Sequence, residues 1–224
     1  MIEVRGLRVV YGRTVALDAV DLDLAPSLTG VFGPNGSGKS TLLRVLAGLL
    51  RPVSGEVLID GRPLRASDES IRRRIGYAGH EAGLYAHLTV LENLELFARL
   101  YGSPARRPAE MIDAVGLGDR ANTPVADLSA GLKRRASVGR AILHDPDVLL
   151  LDEPYANLDD DASDLVGEVI RSWHRPERLA LIATHGAKRV RAYASHGIVL
   201  RRGLVAAEHS YEDRRAPELE ETGA

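Results

Sequence analysis

The stretch GPNGSGKST, residues 33–41, has the composition of a phosphate cradle. Gly33, Gly36 and Gly38 let successive backbone N–H groups turn inward onto phosphate oxygens, with Pro34, Asn35 and Ser37 completing the loop. Lys39 is spaced to reach β- and γ-phosphates. The Ser40 hydroxyl is spaced to ligate Mg²⁺, and Thr41 follows it into a helix whose N-terminal dipole adds to the attraction. In DVLLLDEP, the apolar run from Val148 to Leu151 delivers Asp152 and Glu153 side by side. A carboxylate at such a strand end can hold Mg²⁺ through water, and its neighbour can orient or deprotonate an attacking water. Taken alone, an Asp-Glu pair is more often a solvated strand end; a phosphate loop and an apolar strand in the same chain favour the chemical role. LALIATHG places His185 at a third such end, as a phosphate sensor rather than a structural hydrogen-bonder. LSAGLKRR, with Ser129 and Gly131 ahead of a basic helix-forming run, is a second device for an anion. One chain holding two such devices needs an explanation.

The surrounding elements must bring these residues together. The stretches IEVRGLRVVYG and VALDAVDLDL alternate like strands with a turn near Gly12 and Arg13. LTGVFG is a short buried strand, KSTLLRVLAGLL a helix, GEVLIDG a strand closed by the turn pair Asp60-Gly61, and IGYAG a strand led in by a basic helix through Arg72, Arg73 and Arg74. Residues 88–143 change character: LTVLENLELFARLYG, with Thr89 as N-cap, PAEMIDAVGLGD and SAGLKRRASVGRAIL all carry helical period. Strands resume at DVLLLDEP, LALIATH and HGIVLRRG. Strand–helix alternation interrupted by helices predicts an α/β fold, a mainly parallel sheet with an inserted helical lobe over about 80–143. The charged, proline-containing end suggests one domain over 1–208 and a mobile tail over 209–224.

Bulk properties exclude several classes of function. The chain has 224 residues, 45% hydrophobic and 27% charged, with 29 basic against 31 acidic side chains. That balance argues against a nucleic-acid surface as the main partner. With no cysteine there is no disulfide, thiolate chemistry or Cys-based metal site. The first residues alternate like a strand rather than a signal peptide, and no apolar run approaches the roughly 20 residues a membrane span needs. A cytoplasmic chain is expected, any membrane role arising through a partner.

Taken in order from about residue 2 to residue 206, these motifs resemble the nucleotide-binding subunits of ATP-binding cassette (ABC) transporters. The resemblance implies a P-loop NTPase core with an N-terminal antiparallel β subdomain, ATP and Mg²⁺ as ligands, and ATP hydrolysis. It puts Tyr11 where an aromatic ring stacks on adenine, EPYANLD at the Walker B exit and D-loop with Asp159 facing the opposite subunit, and LSAGL at the signature usually written LSGGQ. It also answers the question of the two devices. In this family two subunits dock head to tail, so Ser129 and Gly131 of one chain cap the γ-phosphate held by the other. Arg135 matches a family position, although KRR also suits a solvated helix face.

Three residues depart from the family pattern. Ala130 adds a Cβ where a second glycine is usual, and Leu132 removes a polar glutamine contact. His80, in YAGHEAGLY, stands where the Q-loop glutamine is expected; neutral imidazole can accept from water or coordinate metal, whereas protonated imidazole cannot. Otherwise His80 faces solvent and does nothing. GH with LSAG is similar to the haem-exporter subunits of cytochrome c maturation, though small drug- or ion-efflux subunits fit equally. The resemblance implies an ATPase motor, as a homodimer or paired with a paralogue, held at the inner face of the membrane by a multi-span permease. The alternative is a soluble, non-transport ABC ATPase acting on nucleic acid or ribosomes. Against it stand the absence of fused cassettes, of a coiled-coil insertion and of a basic excess. A P-loop kinase or GTPase leaves LSAGL and His185 unexplained.

Overall fold

The computed structural model describes residues 1–65 and 67–211. Strands β1 (Ile2–Tyr11) and β2 (Thr14–Leu24) form an antiparallel hairpin. With β4 (Ser54–Ile59) and the short β5 (Arg62–Pro63) they make a four-stranded sheet in the order β2-β1-β4-β5. Ile2, Val4, Leu7 and Val9 of β1 are buried, and the break in alternation coincides with a register shift between Val4 and Leu7.

The larger sheet contains β3 (Ser27–Phe32), β6 (Ile75–Ala78), β7 (Val148–Asp152), β8 (Leu179–Ala183), β9 (His196–Arg201) and β10 (Leu204–Ser210). Their order is β10-β9-β3-β8-β7-β6, parallel except for the β10 edge. Every residue of β3, β7 and β8 is buried, the consequence of covering both faces of a parallel sheet. One face packs with the small sheet and α1 (Lys39–Leu46). The other carries α3 (Val90–Tyr101), α4 (Arg107–Ala114), α5 (Ala130–Ile142), α6 (Asp160–Trp173) and α7 (Ala187–Arg191). A single turn, α2 (Glu69–Arg72), precedes β6. No helix among the described residues is long and apolar enough to cross a membrane.

Local chemistry sets the boundaries of the inserted helices. Thr89 Oγ1 accepts from the Glu92 N–H at 3.1 Å and Glu92 Oε2 accepts from the Thr89 N–H at 2.8 Å, a reciprocal cap that starts α3. Ser129 Oγ accepts from the Leu132 N–H at 3.3 Å and starts α5. Some boundaries differ from the sequence expectation. Helix α1 stops at Leu46 because the chain turns at Gly48, leaving Leu49 59% exposed. Arg74 lies beyond the basic helix and bonds Asp60 and Asp147. The expected domain end at 208 falls inside β10, where His209 and Ser210 pair with Gly197 and His196; residues 212–224 of the expected tail lie outside the described ones.

The lobe meets the core where Tyr101, ending α3, stacks on His144, just past α5, with ring centroids 3.9 Å apart and planes 10° apart. Burial pushes the His144 imidazole down to about 4, and neither ring nitrogen has a hydrogen-bond partner among the described residues. Between that value and the unfolded value near 6.5, the unfolded chain takes a proton the folded chain refuses. The stabilisation is therefore complete above the unfolded value and is lost as pH falls toward the folded one. At pH 5 about 2 kcal/mol should be gone, or about 4–8 °C in Tm for a chain of this size. His144→Phe keeps a stacking ring and removes the titration. Thermal melts at pH 7 and pH 5 should show most of this acid loss disappearing in the variant; an equal loss in both proteins contradicts the assignment.

Candidate functional site

Because β3, β8, β7 and β6 run parallel, their C-terminal ends open on one edge of the sheet. The ends of β3 and β7 are separated only by β8, two strand spacings or about 10 Å. The loop after β3 returns on itself tightly: a Cβ at Gly33 (φ +143°) would lie 2.2 Å from the Leu200 carbonyl oxygen. Only glycine fits there. Helix α1 starts at the far end of the loop with no side-chain cap and no acidic residue in its first turn, so its first N–H groups and dipole remain available to an anion. Ser37 Oγ is buried without a hydrogen-bond partner among the described residues. Such an orphan suits a phosphate oxygen.

Lys39 is 6% exposed, and its ammonium donates to the carbonyls of Gly33 at 2.7 Å and Pro34 at 3.1 Å. Burial pushes Lys39 below the usual lysine range, and the charges of Glu153 and Asp152 oppose that push. A cation held in this way is poised for a ligand of opposite charge.

Asp152, the last residue of β7, is 2% exposed, while Ser40 is exposed at the start of α1. Both offer hard oxygen donors. No group of three or more His, Cys, Asp or Glu side chains able to hold a metal occurs among the described residues. An ion bound here would take most of its ligands from phosphate and water, which suits Mg²⁺.

Glu153 adopts φ +51°, a left-handed conformation that is strained for a residue with a Cβ. Its carboxylate accepts from Thr184 Oγ1 at 2.9 Å and from the His185 N–H at 2.8 Å, and lies 2.9 Å from His185 Nδ1. The ends of β7 and β8 therefore bring the candidate base and the candidate sensor into direct contact. Thr184, 4% exposed, was not singled out from sequence, although its place before His185 in ATHG offered a signal.

The remaining candidates stand at or next to the ends of other elements. Tyr11 ends β1 and is 43% exposed. His80, just past β6, is exposed, and its ring has no hydrogen-bond partner among the described residues. Asp159 accepts from the Ala162 N–H at 2.8 Å and caps α6. Ser129 is exposed at the start of α5, and no hydrogen bond among the described residues joins it to the loop of residues 33–41. A Cβ at Gly131 would lie 2.6 Å from the Asn157 carbonyl oxygen, so this glycine is also required for packing within the chain. The KRR run is not a solvated face: Lys133 donates to the Ala126 carbonyl, Arg135 to those of Val115 and Gly116. Arg134, which sequence reasoning passed over, is only 6% exposed.

The family model described as "ABC transporter" matches residues 17–156. The Nod factor export ATP-binding protein I of Cupriavidus metallidurans is 35% identical over 213 residues, covering 93% of this chain and 70% of that protein. The cytochrome c biogenesis ATP-binding export protein CcmA of Xanthomonas campestris pv. campestris is 46% identical over 158 residues, 70% of this chain and 73% of that one. Among solved structures, a dimeric ATP-binding cassette in a post-hydrolysis state bound to ADP and Pi aligns with a TM-score of 0.86 at 28% identity, covering 94% of this chain and 98% of that chain. The matched span begins in β2 and runs through the phosphate loop, the helical lobe and the end of β7, the parts that build the edge described above. This chain belongs to the ABC transporter family, as an ATP-hydrolysing ATP-binding subunit.

Proposed function

We propose that the chain drives transport as one half of a head-to-tail pair with two shared ATP sites. In each site one chain contributes Tyr11 and residues 33–41, and the other contributes Ser129 and Gly131. The observation that carries this reading is that Ser129 is exposed at the start of α5 and makes no hydrogen bond, among the described residues, to the loop it would have to serve. The dimeric cassettes among its structural relatives support it. The pair is isologous if both chains are copies of this one, and a paralogue can take the second place on the same surfaces.

Within a site, Lys39, Ser37 and the first N–H groups of α1 hold the phosphates, and Tyr11 offers its exposed ring to the adenine. Ser40 and Asp152 would hold Mg²⁺, which when bound supplies charge neutralisation at the β- and γ-phosphates. Glu153 takes the proton of the attacking water, with its carboxylate oriented by Thr184 and His185. His185, held by the same contact, is assigned to sense the γ-phosphate, and His80, just past the neighbouring strand end, is assigned to the attacking water. Each acts within its own chain, and Ser129 acts across the interface.

The names of the relatives, ATP-binding proteins of export and import systems, support a multi-span permease as partner and the cytoplasmic face as location. The relatives carry names for Nod factor export, daunorubicin/doxorubicin resistance, cytochrome c biogenesis and methionine import. The unlike cargoes and the two directions in these names support a reading in which the permease chooses the cargo. The net charge of -2 adds no support for a nucleic-acid partner.

Lys39→Ala tests the phosphate assignment. It removes the cation from the cradle and frees the Gly33 and Pro34 carbonyls, so ATP binding or turnover should be lost while the circular dichroism spectrum and melt are kept. Wild-type ATP affinity and turnover together would refute it.

A further inference from the structure

Strands β6 and β7 pair in register up to Ala78 opposite Leu151. Beyond that pair the ladder stops, since β6 ends at Ala78 while β7 runs on to Asp152 beside β8. Three carbonyls are left at this end of the ladder, those of Gly79, His80 and Asp152. Arg134 reaches them from α5. Its Nη1 donates to Gly79 O at 2.6 Å and to Asp152 O at 3.3 Å, and its Nη2 donates to His80 O at 3.1 Å. The planar guanidinium fork suits such a set, since several donors diverge from one rigid group. Burial alone would weigh against a cation here and lowers the Arg134 pKa, while the Asp152 and Glu153 charges favour the charged form.

We propose that Arg134 is a positioning residue for hydrolysis, fixing His80 and Asp152 relative to one another at the nucleotide held by its own chain. Its described contacts are to these backbone carbonyls, through which it acts. The same guanidinium stands on the helix opened by Ser129. The inference rests on the assignment of His80 and Asp152 to the site and deepens it.

Arg134→Met keeps length and apolar packing and removes every donor. ATP affinity should stay within about twofold of wild type, because the loop of residues 33–41 and Tyr11 are untouched, while kcat should fall at least about tenfold. Arg134→Lys, with one donor centre in place of a fork, should recover part of that loss. If the Met variant does not fold, the Lys variant decides alone, and a wild-type kcat there overturns the proposal. A wild-type kcat in a folded Met variant overturns it equally.

Placement separates positioning from general support of the lobe. A Lys39→Ala chain mixed with a Ser129→Arg chain has one site with both halves intact. Arg134→Met added to the Ser129→Arg chain, which contributes the loop, should lower turnover at least about tenfold. Added to the Lys39→Ala chain, which contributes only the signature, it should change turnover less than about twofold. Equal losses in both placements would overturn the proposal. If the parent mixture itself is inactive, the shared-site reading fails instead, and the kcat of the single-variant proteins still decides the role of Arg134.

Discussion

Glu153→Gln will bind Mg-ATP and hydrolyse it about 10²–10⁴-fold more slowly than wild type, because an amide cannot take the proton of the attacking water. The fold should survive. Thr184 Oγ1 now donates to Glu153 and accepts from the Gly186 N–H at 3.0 Å, and a hydroxyl can turn to meet an amide N–H instead. The amide oxygen can continue to accept from the His185 N–H. With the chemical step blocked, ATP bridging two chains should persist, and the dimer should accumulate in ATP and not in ADP, read by light scattering. Wild-type turnover in this variant would remove Glu153 as the base. Slow turnover without dimer accumulation would keep the base and remove closure by ATP alone.

Much of this site was legible because its chemistry is local in sequence. The loop of residues 33–41 carries its glycines, lysine and hydroxyls in one run. Asp152, Glu153 and His185 each follow an apolar run whose burial on both sheet faces dictates where it ends. Thr89 and Ser129 fix helix starts through bonds three residues long. What the sequence hid depends on distant partners. Arg134 sits in a run of three basic residues that suits a solvated face, and its burial goes with the carbonyls left where the ladder of β6 and β7 ends. The sequence assigns Gly131 to a phosphate contact and gives no sign of its close approach to the Asn157 carbonyl, which arises only when α5 packs on the segment before α6. Strand β10 was missed because LVAAEHS is too polar to announce a strand. It forms as an antiparallel edge on β9, where one face remains in solvent. The Glu153–His185 contact joins two motifs 32 residues apart, and only the parallel pairing of β7 with β8 brings them together.

The central claim is that the two phosphate devices of one chain serve different nucleotides, and complementation tests it most directly. Lys39→Ala destroys the loop and spares the signature; Ser129→Arg blocks the signature and spares the loop. Each protein alone should be inactive, since every site in its homodimer lacks one half. In the mixed dimer one site is doubly broken, whereas the other joins the intact loop of the Ser129→Arg chain to the intact signature of the Lys39→Ala chain. The measurement is ATP turnover of the equimolar mixture against each protein alone, after light scattering has shown that the wild type self-associates in ATP. The shared-site account predicts that turnover reappears on mixing. If the signature served the nucleotide of its own chain, neither chain would hold a complete site, and a mixture as inactive as its components would contradict the account.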